Sequence, residues 1–174
     1  MYLILFIAFA SAVAAVAAVL VTKRVAQIQL FVSWLRDYSS KEMQEAVKKL
    51  YEWKEIKNKQ PARFKNLLTK YKSLQKLTKS NDEDFEEIRT IDDARRRVSH
   101  YFTTAKDLCK NGCISKYFLK VICRPDSFKL VFDIVECLEE AITPNYAKKD
   151  FDDLLKLCGR DDIEDIKEHR HPEK

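Results

Sequence analysis

Apolar and small residues run without a charged side chain from Tyr2 to Thr22, and the first cation is Lys23. A helix of about 22 residues, rising about 1.5 Å per residue, crosses a hydrocarbon layer of about 30 Å. The run is apolar on every face, which favours a membrane span over one side of a soluble core. After Lys23 the pattern changes. Val25, Ile28, Phe31, Val32 and Leu35 recur at helical spacing, with Gln27, Gln29 and Arg36 between them. This predicts one helix continuing from the bilayer to about Asp37. Ser39-Ser40-Lys41-Glu42 has the form of a capping box and opens a second helix. Met43, Ala46, Val47, Leu50, Trp53 and Ile56 lie on one side of it.

Pro61 can begin a third helix, because a first turn leaves its N–H unpaired anyway. Phe64, Leu67, Leu68, Tyr71 and Leu74 form its stripe, flanked by Arg63, Lys65, Lys70, Lys72 and Lys76. Helical spacing resumes at Ile88 and continues through Ile91, Ala94, Val98, Tyr101, Phe102, Ala105 and Leu108. Asn111-Gly112 supplies a C-cap. Ser115 caps a short helix over Lys116–Cys123. Pro125-Asp126 opens another, with Phe128, Val131, Phe132, Val135 and Leu138 inward, and Thr143-Pro144-Asn145 breaks it. Phe151, Leu154, Leu155 and Cys158 make a last amphipathic piece before Gly159. Both glycines and three of the four prolines thus fall where helices start or stop. Such local agreement predicts an all-α fold, an N-terminal transmembrane helix continuing into an irregular helical bundle. The expected organisation is a span at 1–22, a juxtamembrane extension at 23–38, the bundle at 39–159 and a charged tail at 160–174.

Charge changes this picture in one respect. Residues 23–79 hold 15 Lys+Arg against 5 Asp+Glu, whereas residues 80–174 hold 17 against 22. The part next to the span is basic, and basic juxtamembrane segments are attracted to anionic headgroups at about 1 kcal/mol per cation. Lys23 and Arg24, with Arg63, Lys65, Lys70 and Lys72 of the third helix, are the candidate membrane-surface residues. The last four reach the headgroups if the chain turns back at Ser39-Ser40. The apolar stripe between them is expected to pack into the bundle, so nucleic acid is not expected as a partner.

A cleaved secretory signal needs a positive n-region and a small-residue cleavage site. Ala10-Ser11-Ala12 offers such a site, but no cation precedes the apolar run. The cations follow it, so the expectation is a retained anchor with the C-terminal domain in the cytoplasm. The five cysteines are odd in number and irregularly spaced, and Cys123, Cys137 and Cys158 sit among apolar residues. They read as small hydrophobes in a reducing compartment rather than a disulfide framework.

Little in the sequence points to chemistry. With two glycines there is no phosphate-binding Gly loop. Cys109 and Cys113 flank the Asn111-Gly112 break and have no second pair. His169 and His171, two residues apart, do not share a helix face. No metal and no cofactor are expected. Arg95-Arg96-Arg97-Val98-Ser99-His100 resembles the R-x(4–6)-H motif of HEPN-type ribonucleases. That resemblance implies Arg95 and His100 as catalytic residues and a homodimer whose protomers meet around the scissile phosphate. The plainer reading is that successive arginines point apart and pair on the surface with Asp92-Asp93.

Two further blocks resemble a mostly bacterial family of small proteins with one N-terminal membrane helix and a helical domain of unknown function. They are Gln27–Phe31 with Trp34–Ala46, and Ala94–Phe102 with Leu108 and Gly112–Ser115. The resemblance implies an anchor plus a helical bundle and brings no activity. The resulting expectation is a membrane-anchored interaction or regulatory module, more a non-enzyme than an enzyme, with an unidentified protein partner. The tethered ribonuclease is the alternative.

Overall fold

The computed structural model describes residues 2–73, 84–123, 129–143 and 149–159. They form seven helices: α1 (Tyr2–Tyr38), α2 (Lys41–Lys59), α3 (Pro61–Lys72), α4 (Asp84–Lys110), α5 (Lys116–Ile122), α6 (129–142) and α7 (Lys149–Cys158). No strand occurs among the described residues. The fold is all-α, a long apolar first helix followed by a helical bundle.

The caps show why the elements begin and end where they do. Ser40, not Ser39, is the N-cap of α2, and its Oγ accepts the Met43 N–H at 3.3 Å. Ser39 instead donates to the Leu35 carbonyl, closing the end of α1. Glu42 is therefore one position too early for the reciprocal bond of a capping box. Pro61 is the first residue of α3, and Ser115 caps α5 by accepting from Phe118 N–H. At the end of α4, Gly112 has φ +70. Its N–H bonds the Cys109 carbonyl, and Cys113 N–H bonds the Leu108 carbonyl at 2.8 Å. This 6→1 and 5→2 pair is a Schellman motif, which needs a left-handed residue that glycine adopts at little cost.

α4 is the central element, and α2, α3, α5, α6 and α7 all pack on it. Its Ile88, Ile91, Ala94, Val98, Phe102 and Ala105 are buried, as the periodicity predicted. α6 contains a π-helical turn over Val131–Val135 that hydrophobic spacing did not foretell. A π turn widens the helix and displaces its carbonyls from their usual partners. Here Lys57 Nζ donates to the Asp133 carbonyl at 2.7 Å, and Lys54 pairs with the Asp133 carboxylate at 2.6 Å. Two lysines of the basic segment are thereby used inside the bundle.

α1 is one uninterrupted helix through the juncture at residue 22. Its N-terminal part is long and apolar enough to cross a membrane, and the apolar window has no buried residue. Beyond it the bundle packs directly on α1. Gln27 Nε2 donates to the Gly112 carbonyl at 3.1 Å, Phe31 stacks on Phe118 at 4.4 Å, and Trp34 stacks on Tyr101 at 3.8 Å. Gln27 thus meets the end of α4 and Trp34 meets its middle, so α4 runs antiparallel to α1.

That direction decides where the α3 cations go. Met43 shares a groove with His100 and Tyr101, whereas Trp53 packs edge-on against Tyr71, which is bonded to Asp92. α2 therefore continues outward along α4 and does not turn back. Asp92 lies 20 residues from Gly112, about 30 Å along the helix. Arg63 reaches farther still, to Glu87 at 3.4 Å. Arg63, Lys65, Lys70 and Lys72 stand at the end of the bundle away from the apolar part of α1. The chain does not turn back at Ser39-Ser40, the condition on which their approach to the headgroups rested. The cause is burial: Leu50, Trp53, Phe64 and Tyr71 are buried where α2 and α3 pack on each other and on α4.

Candidate functional site

Arg95 and His100 lie five residues apart on α4, so at about 100° per residue their side chains point about 140° apart. The structure puts them in different places. Arg95 is buried at 8% exposure and His100 is exposed.

Arg95 is the centre of an ionic cluster between α3, α4 and α6. Its Nε and Nη2 donate to Asp92 Oδ1 at 3.1 and 2.9 Å, and its Nη1 donates to Glu139 Oε1 at 2.5 Å. The Tyr71 hydroxyl donates to the same Asp92 oxygen at 2.7 Å. Arg96 reaches the other oxygen, Oδ2, from the rim at 2.8 Å. Two guanidinium groups thus face two carboxylates, and charge balances. Burial by itself would raise the Asp92 pKa, but hydrogen bonds from Tyr71 and Arg95 and the charges of Arg95 and Arg96 hold it below the usual carboxylate range. Burial and the bond to Asp92 push the Tyr71 hydroxyl up, so it stays a donor at neutral pH. Arg96 pairs with Asp92 near the surface as the plainer sequence reading expected, but Arg95 does so in the interior. Its guanidinium is committed to carboxylates and is not presented to a phosphate. The structure does not bring Arg95 and His100 into one site.

His100 belongs to an open groove of about 830 Å³ where the α1–α2 corner meets α4. Trp34, Met43 and Tyr101 make its apolar part. Arg97 and His100 line it from α4, and Asp37 and Glu42 line it from the corner. Sequence spacing alone did not suggest this grouping, since the corner residues come from chain 55 or more positions earlier. The groove thus combines an apolar part with separated charges of both signs.

Tyr101 shows how tightly α1 is held. Its ring lies between Trp34, parallel at 3.8 Å, and Phe102, edge-on at 5.5 Å, with Tyr38 at 5.2 Å. Its hydroxyl is buried with no hydrogen-bond partner. Burial, and after it Tyr38, Cys123 and Asp37, raise its pKa, so the group is neutral. An unsatisfied hydroxyl costs about 1–3 kcal/mol. Tyr101→Phe is therefore expected to leave stability unchanged or raise it by up to about 1 kcal/mol. Chemical denaturation checks this, and a loss of similar size would show that the hydroxyl has a partner.

Among the described residues no group of three or more His, Cys, Asp and Glu converges to hold a metal ion. Cys109, Cys123 and Cys158 are buried, Cys137 is half-buried and Cys113 is exposed. His169 and His171 lie outside the described residues. Lys23 and Arg24 are exposed on α1 where the apolar run ends. Comparison with known proteins found no family model, no curated protein and no solved structure that matches this chain.

Proposed function

We propose that this protein is a membrane-anchored helical interaction module, with its bundle in the cytoplasm and held rigidly against its own anchor. The observation that carries this reading is the continuity of α1. One helix contains both the apolar span and Phe31, Trp34 and Tyr38, which pack on the bundle. A flexible tether would let the domain wander. This joint fixes which surface faces the lipid and presents the groove beside His100 at a set height, which serves docking of a protein partner rather than catalysis. Lys23 and Arg24 follow the apolar run, and this bias supports a cytoplasmic C-terminal side. They are also the cations placed to meet anionic headgroups.

The test is alkaline extraction of membranes followed by protease accessibility in sealed vesicles. The full chain should stay with the membrane, and the bundle should be digested only from the cytoplasmic side. Neutralising Lys23 and Arg24 while adding Lys before Tyr2 should invert a fraction of molecules. Neutralising Lys65 and Lys72 should change neither association nor orientation. A mature N-terminus near Val13 or Val16 by mass spectrometry would sink the anchor.

A further inference from the structure

The bundle covers one side of α1 and leaves an apolar stripe on another. Gln27, Phe31, Trp34 and Tyr38 form the covered row. Val25, Ile28, Val32 and Leu35 keep 46, 43, 48 and 36% of their surface exposed. At about 100° per residue these four span about 80° of the helix, centred about 110° from the covered row. Val32 and Leu35 lie about 12 and 16 Å beyond Arg24, past a headgroup layer about 5–8 Å deep, so lipid does not cover that end of the stripe.

Their spacing is three, four, three, which matches the repeat of a coiled-coil seam. Val25 and Val32 occupy one seam position, Ile28 and Leu35 the other. Valines at the first position with Leu35 at the second favour two parallel strands, whereas Ile28 at the second position weakens that preference. The same register runs back without a break through Val21, Ala18, Ala14 and Ser11. Small residues there let two helices approach closely within lipid. No charged residue falls on the stripe. In a parallel pair Arg24 of one copy faces Gln29 of the other, so no like charges oppose.

The occupant that satisfies all of this is a second copy of the chain. Copies anchored in one membrane share orientation and are confined to two dimensions, which raises their effective concentration and enforces the parallel arrangement. A two-fold pair also covers the same stripe on both. We propose that α1 pairs with α1 of a second copy as a parallel two-stranded coiled coil from the membrane out to Leu35. The inference rests on the anchored reading and adds the partner and the surface.

Single cysteines test it in the full-length, membrane-embedded protein carrying Cys113→Ser, which removes the exposed native thiol. Copper–phenanthroline oxidation should give disulfide dimers of Val25→Cys, Ile28→Cys, Val32→Cys and Leu35→Cys. Ala26→Cys, Gln29→Cys and Ser33→Cys should give at least about fivefold less. Adding Val32→Glu should reduce the Val25→Cys dimer by a similar factor. A flat profile, or no dimer at any position, in protein that resists alkaline extraction overturns the pairing and leaves the anchor standing. The same null profile with the stripe positions crosslinked to a different protein also overturns it. Release of the protein by alkali would defeat anchor and pairing together.

Discussion

Arg95→Ala is expected to destabilise the bundle by about 3–5 kcal/mol, because it strips a buried cation from two buried carboxylates. Asp92 and Glu139 are largely shut off from water by the packing between α3, α4 and α6. For a chain of this size the loss lowers the melting temperature by roughly 10 °C. His100→Ala, on the open groove, should stay within about 0.5 kcal/mol of the parent. Thermal melts of the detergent-solubilised full chain separate the two readings of the Arg95–His100 segment. Equal and small effects from both substitutions would show that the ionic cluster is not structural. Acid gives an independent readout. The Asp92 pKa is depressed in the folded state, so its contribution is complete above the unfolded value of about 3.9 and is lost as pH falls through the folded value. Stability should therefore drop below about pH 4, and Asp92→Asn should flatten that dependence.

Trp34→Ala is expected to cost about 3–5 kcal/mol and to loosen α1 from the bundle. Trp34 is 7% exposed, and its parallel stack on Tyr101 adds about 0.5–1.5 kcal/mol beyond simple burial. Phe31 and Tyr38 remain, so the joint should open locally before the core unfolds. Trypsin reports this: cleavage after Arg36, which is exposed but helical, should accelerate several-fold while the far-UV signal is retained. A fragment beginning at Ser39 lacks all three aromatics and uncovers Tyr101 and Phe118. It should be less stable than one beginning at Lys23 by an amount similar to Trp34→Ala. Equal stability of the two fragments would mean that the extension of α1 is a passive stalk.

The distance between sequence and structure is clearest along α4. Its period placed Ile88, Ile91, Ala94, Val98, Phe102 and Ala105 inward, because an apolar face is a local property of a helix. The same period cannot assign a partner to Arg95. Asp92 is one turn away, but Tyr71 and Glu139 come from 24 residues before and 44 after. An arginine beside apolar positions reads as surface until a carboxylate arrives from another helix to neutralise it. The π turn of α6 was invisible for a related reason, since the Lys57 and Lys54 that satisfy it lie on α2.

What the sequence determined by itself was the set of described helices and, at Pro61, Gly112 and Ser115, where they start or stop. An uncharged run followed by cations, serine caps, Pro61 and Gly112 act within one or two turns, and caps and steric preferences need no tertiary partner. It also carried the three-four spacing of Val25, Ile28, Val32 and Leu35. Tertiary structure alone decided which side of α1 the bundle covers, and hence which apolar stripe stays open. It decided that α2 runs outward and takes the α3 cations away from the apolar end. The reason is physical: a corner such as Ser39-Ser40 permits several directions, and the choice among them is made by the burial of Leu50, Trp53 and Tyr71 against a helix that begins more than 40 residues later.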